Sequence, residues 1–418
     1  MNLNKMWTAT ALALLTVTNF ANAADTKDVQ MDPPLIISQA KDGGAFSVAA
    51  DLLYWKAIED GTEYVTNTPT TTTGDASGAT AEIKSAEGKF KPGVRLGVRY
   101  LSQHDAFDFR FDWTHHKSTS SKTDTATFGT NRLDSMLTAP DLARQLPMTN
   151  ATENQDIAGP LIFAQYDTLS AKGEYVLKSD WLDLSMGRVM NPFGTKWLSV
   201  RPHTGFRYVN MKRDLNVTIN HDNVSKTANV PAGPGPYTSM NMGSLPAIDN
   251  ITLKNNLNGF GVRSGIDTEW GLAKNWNIYA SFAASLLWGK HNVNFIESSK
   301  RIQLTGGQLQ PPPEPIPVET TGSFIVGTAT GSDAEGNYYR NNHQSMSSVK
   351  GMTDMALGLM WEDCFDGNWG LTVTAGWEHH MIYGFNQSFH LATDTNTIIR
   401  HHGNLFMGGF VLGLKLDF

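Results

Sequence analysis

Cysteine is almost missing from this chain. Cys364 is the one thiol in 418 residues, which excludes a disulfide framework and any multi-cysteine metal site. Charge is sparse too, at 17%, and the net value of −7 has the wrong sign for a nucleic-acid partner. Beyond the N-terminus no apolar run approaches the ~18 residues a membrane helix needs, so a helical crossing is excluded. Gly-x-Ser-x-Gly, the P-loop and His-Glu-x-x-His are all absent, leaving no signature of a nucleophile, cofactor or metal. With 10% aromatics and 38 glycines the composition fits neither a disordered chain nor a coiled coil.

The first residues read as an address. Lys5 precedes a largely apolar stretch over 7–20, and Ala21-Asn22-Ala23 places small residues before a cut. This predicts a cleaved secretory signal over 1–23. A periplasmic segment over 24–44 and one domain over 45–418 follow. Losing Lys5 would leave 32 basic against 40 acidic residues, a mature charge of −8. No cysteine follows the cut, which argues against a lipoprotein.

From Ala45 onward the period is two, as in strands with unlike faces. In 89–101, Phe90, Pro92, Val94, Leu96, Val98 and Tyr100 oppose Lys89, Lys91, Gly93, Arg95, Gly97 and Arg99. In 107–114, Phe107, Phe109, Phe111 and Trp113 oppose Asp108, Arg110, Asp112 and Thr114. Segments 198–208, 276–288 and 404–418 behave alike. The polar face is rich in Gly and Arg, as crowding inside a lumen requires, rather than in the Lys and Glu of a solvated sheet. Aromatics close the apolar rows: Phe90 and Tyr100 stand ten residues apart, Trp276 and Trp288 twelve. At roughly 2.5 Å of climb per tilted residue, ten residues span about 25 Å, the apolar band of an outer-membrane barrel.

Strands over 45–56, 89–101, 105–116, 164–188, 197–211, 257–270, 276–290, 350–362, 369–382 and 404–418 make ten. Their connections alternate: 57–88, 117–163, 212–256, 291–349 and 383–403 are long, and those between are short. The fold class predicted is all-β, a transmembrane antiparallel up-and-down barrel of 10–16 strands, with short periplasmic turns and long external loops. A phase change near Ser179-Asp180 predicts a bulge, and so do Pro92 and Pro202, each of which deletes a ladder donor. Residues 213–219 and 322–329 look extended and offer further hairpins. Residues 62–79 and the proline-rich 311–317 are low in complexity.

The segments FSVAADLLYWKA (46–57), LDLSMGR (182–188) with LSVRPHTGFRY (198–208), and VLGLKLDF (411–418) resemble the chlamydial and legionella-type major outer-membrane-protein family. The middle motif is the most specific. The resemblance implies a porin set in outer-membrane lipid, a possible homo-oligomer such as a trimer. It also implies that the terminal Phe418 is the signal read by the barrel-assembly machinery. The single Cys364 departs from the cysteine-rich chlamydial branch, whose envelope is cross-linked.

If the polar face lines a lumen, its charges set selectivity. Lys91, Arg95, Arg99, Arg110, Arg201 and Arg207 would form a basic wall. Asp267, Glu269, Asp354, Glu362 and Glu378 would form an acidic wall opposite, with Arg263 an exception. The other possibility is that these charges pair and plug the lumen. The pairs His115-His116, His379-His380 and His401-His402 fall at the external ends of strands, where converging imidazoles could bind zinc or copper. Each pair offers only one lumen-facing imidazole, however, because neighbours in a strand point opposite ways. They read as structural or rim residues. The expected function is passive diffusion of small hydrophilic solutes. Its rivals are a structural or adhesive barrel whose loops bind surface or host ligands, and a barrel enzyme at the external rim.

Overall fold

In a computed structural model the described residues are 45–69, 80–102, 107–127, 130–137, 167–191, 197–222, 227–230, 238–241, 247–301, 338–365, 369–392, 397–400 and 402–418. The predicted signal 1–23, the segment 24–44, and the stretches 311–317 and 322–329 lie outside them.

The elements are β1 (Ala45–Glu59), β2 (Glu63–Pro69), β3 (Glu82–Ser85), β4 (Lys91–Leu101), β5 (Phe107–Thr125) and β6 (Asn131–Ser135). Next come β7 (Asp167–Arg188), β8 (Leu198–Asp222), β9 (Thr227–Val230), β10 (Thr238–Asn241), β11 (Ala247–Ala273) and β12 (Trp276–Arg301). The last are β13 (Tyr338–Phe365), β14 (Trp369–Asn386), β15 (Phe389–Ala392), β16 (Thr397–Arg400) and β17 (Gly403–Asp417). Ten of them close an antiparallel ring in the order β1-β4-β5-β7-β8-β11-β12-β13-β14-β17, and β17 returns to β1. Closure gives each of these ten strands two neighbours, so the ring itself has no edge strand. All ten predicted strands are present. Both chain ends of the barrel meet where Phe46 and Phe418 exchange backbone hydrogen bonds. The strand ends that the short connections join lie at that same end. The tightest connection is Lys274-Asn275 between β11 and β12, where Asn275 takes φ 67°, a left-handed conformation asparagine tolerates. At the other end β2, β3 and β6 extend the sheet past the ring.

Near the chain ends the outward row is apolar: Phe46, Val48, Leu52 and Tyr54 on β1, and Leu182, Leu184 and Met186 on β7, are all exposed. Farther along the same strands the apolar set changes face. Leu53, Trp55 and Ala57 on β1, Tyr175 and Leu177 on β7, and Val209, Met211, Leu215, Val217 and Ile219 on β8 are buried inside the ring. Lys178 and Lys212 now face outward. The barrel is therefore two stacked zones. Where lipid surrounds the ring, the outer row must be apolar. Beyond it water wets the outside, and the ring encloses an ordinary hydrophobic core, each large side chain contributing about 1.5–3 kcal/mol.

This corrects three expectations. The phase change at Ser179-Asp180 is not a bulge, since β7 pairs with β8 in unbroken register from Ser170 to Gly187. Side-chain parity is constant, and only the solvent changes. Residues 213–219 are no separate hairpin but the water-facing extension of β8. No register shift accompanies the prolines either: Pro92 stands at the outer end of β4, one residue before pairing with β5 begins, and Pro202 stands where the β7 ladder stops. Proline is accommodated at ladder ends, where a missing N–H deprives no partner.

Candidate functional site

The polar parity of the membrane zone points into the lumen, as read from the alternation. It does not leave two separate charged walls. The walls touch. Arg95 on β4 forks onto Glu378 on β14 at 2.8 and 2.6 Å, with Asp51 of β1 at 3.2 Å. Arg201 on β8 holds Asp108 of β5 through Nε at 2.6 Å and Asp267 of β11 through Nη1 at 3.0 Å. Arg110 joins that group, 3.3 Å from Asp108 and 3.2 Å from Asp267. Arg207 on β8 grips Asp183 of β7 at 2.5 and 2.6 Å and reaches Asp354 of β13 at 2.7 Å. Arg263 also lies 3.3 Å from Asp354. Paired, planar guanidinium–carboxylate contacts of this kind combine charge with fixed geometry.

His380 links two of these groups, with Nδ1 2.8 Å from Asp354 and Nε2 3.3 Å from Glu378. Trp55 and Trp181 pack beside it, their ring centroids 4.6 and 4.8 Å from the imidazole. Arg95 lies over Trp55 and Arg207 over Trp181, at 5.7 and 5.5 Å. As strand parity requires, His116 and His380 face inward, while His115 faces outward and bonds Asp180 at 2.7 Å. His402 is exposed, and His401 lies outside the described residues.

The remaining predicted residues stand apart from these contacts. Lys91 shares the inward parity at the outer end of β4. Glu269 accepts from Ser199 at 3.4 Å and Glu362 from Asn277 at 2.8 Å. Arg99 buries its Nε with no hydrogen-bond partner. Arg99 and Glu269, with Asp51, Thr372 and Lys415, border a polar cavity of about 60 Å³. Sequence reasoning missed Asp51 and Asp183 as partners and Trp55 and Trp181 as packing surfaces. The two aspartates stand on the polar parity and were findable by it. The tryptophans were not, because their row turns apolar only above the lipid. Gly187 was missed as well: a Cβ there would stand 2.6 Å from the Arg201 Cζ, so only glycine leaves the guanidinium its place.

A second polar network crosses the water-facing zone. Arg213 and Glu59 both have fully buried side chains and lie 2.9 Å apart. Tyr175 donates to Glu59 at 3.0 Å, and Arg213 donates to Asn386 at 2.8 Å and to the Leu253 carbonyl at 3.1 Å. Nearby, burial holds the His291 imidazole down at about 4, helped by Lys350 and Arg213. Its unfolded value is about 6.5, so between those two values the unfolded chain takes a proton the folded one refuses. Stability is therefore expected to fall as pH drops from about 6.5 to about 4, by about 3 kcal/mol. His291→Gln should flatten that slope in urea unfolding of the detergent-folded protein. An unchanged slope would acquit His291.

A family model, the Legionella pneumophila major outer membrane protein precursor, matches residues 40–418. The chain belongs to that family. It is an outer-membrane β-barrel protein, as the family and the closed ring together require. No curated protein sequence matches it. Among solved structures, the outer membrane protease OmpT of Escherichia coli is similar over 90% of this chain and 96% of its own, at 7% identity and a TM-score of 0.35. A Pseudomonas aeruginosa FadL homologue covers 93% of this chain and 94% of its own, at 8% identity and a TM-score of 0.22. The Ralstonia pickettii toluene transporter TbuX covers 92% and 93%, at 9% identity and a TM-score of 0.23.

Proposed function

We propose that this family member is a closed outer-membrane barrel. Its lumen is braced by ion pairs, and its water-facing extension and long external connections form a binding surface. One observation carries the reading: guanidinium groups on β4, β5 and β8 directly contact carboxylates on β14, β11 and β13, across the ring. A solute crossing the lumen would have to part these largely buried pairs and leave their charges uncompensated. Export by residues 1–23, recognition of Phe418 by the assembly machinery, and a homo-oligomer belong to the same proposal. It assigns no catalysis.

The refolded protein in a planar bilayer is expected to show no resolved single-channel steps. A clear open-channel step would overturn the closed reading. The diffusion-channel reading has its own support in the inward parity of Lys91, Arg95, Arg99, Arg110, Arg201 and Arg207 and in the polar cavity beside Arg99. Under that reading, changing Arg95, Arg99 and Arg201 to Glu shifts the reversal potential toward cations.

A further inference from the structure

The outer face of β5, β7 and β8 carries an arrangement that a free sheet would avoid. Lys117 is directly opposite Lys178, and Lys178 is directly opposite Lys212. Like charges in register across neighbouring strands repel, with Cβ atoms only about 5 Å apart. All three are exposed, and among the described residues none has a carboxylate within ion-pairing range. In the two adjoining rows the acids have other basic neighbours: Asp180 bonds His115 at 2.7 Å, and Asp214 stands directly opposite Lys254.

The height of the row matters. Two rows toward the chain ends, Trp113, Leu182 and Tyr208 stand side by side, and below them Phe111, Leu184 and Phe206 face out into lipid. Four residues of tilted strand place the lysines about 10 Å above the aromatic row, at headgroup depth. The apolar column below suits acyl chains, and the cationic row above suits phosphates carried on the same molecule. The site faces the membrane plane rather than the lumen. We propose that Lys117, Lys178 and Lys212 bind the phosphorylated headgroup of an outer-leaflet glycolipid whose chains lie along Leu182, Leu184 and Phe206. The proposal rests on the outer-membrane placement with both chain ends periplasmic, not on whether the lumen conducts.

The test uses the full chain folded in nonionic detergent and titrated with bisphosphorylated lipid A, with dephosphorylated lipid A and with inorganic phosphate. Binding of the bisphosphorylated form is expected to weaken about a hundredfold in the Lys117→Gln/Lys178→Gln/Lys212→Gln variant, about fivefold per lysine. Dephosphorylated lipid A should bind wild type and variant alike. The single variant Lys178→Gln, which removes the middle of the row, should lose about fivefold and guards against misfolding of the triple. Equal affinity of wild type and folded variants for bisphosphorylated lipid A would overturn the proposal. So would inorganic phosphate stabilising the wild type as much as the lipid does. Absence of heat-modifiable gel migration in the wild type would instead strike at the barrel's membrane placement, and the two failures are thereby distinct.

Discussion

Arg213→Met destabilises the folded protein by about 3–5 kcal/mol, and more at pH 8 than at pH 5. This is the expected result of stranding Glu59, a carboxylate whose side chain has no exposure and whose charge is met by Arg213 at 2.9 Å. Burial already pushes the Glu59 carboxyl above its ordinary value, and Arg213 is the main restraint pulling it down. A carboxyl raised in the fold favours the native state while protonated, and that contribution is lost as pH rises through the folded value. Without Arg213 the folded value climbs further, so the penalty at pH 8 grows while the penalty at pH 5 is partly relieved by protonation. Replacing both partners with apolar residues, Arg213→Met with Glu59→Leu, should recover most of the loss, because neither charge is then left uncompensated. Urea unfolding of the detergent-folded protein at the two pH values checks this. A deficit independent of pH, or a double variant as weak as the single, would show that Arg213 acts by packing alone.

Arg201→Met carries a comparable cost, about 3–5 kcal/mol, inside the membrane zone. Its guanidinium holds Asp108 and Asp267 together, and Arg110 contacts the same two carboxylates only at 3.3 and 3.2 Å. Removing one cation leaves two aspartates to share the other. Asp108→Asn in the Arg201→Met background should therefore restore a large part of the stability, a coupling that a double-mutant cycle reads directly. Gly187→Ala should weaken the same group without touching a charge, since the new methyl would occupy the guanidinium's place. Additive losses for Arg201 and Asp108 would dissolve the cluster into separate contacts.

The lumen residues were legible because strand parity is strict. Once Phe109 and Phe111 are assigned to lipid, Asp108 and Arg110 can only face inward. The partners were less legible. Arg207 and Asp354 are 147 positions apart, and their strands are separated in the ring by two others, so no local pattern joins them. Cross-lumen contact depends on ring diameter, which depends on strand number and stagger. The outward lysine row was equally hidden, because register between strands places Lys117 beside Lys178.

By itself the order of residues determined the period of two, the ten crossings, the alternation of short and long connections and which face meets lipid. Each of these follows from how a single strand meets its solvent, and that is local. Only the closed ring decided that the charges meet across the lumen, and that the strands run on past the lipid around a dry core. Those outcomes depend on distances between residues far apart in the chain, which closure alone sets.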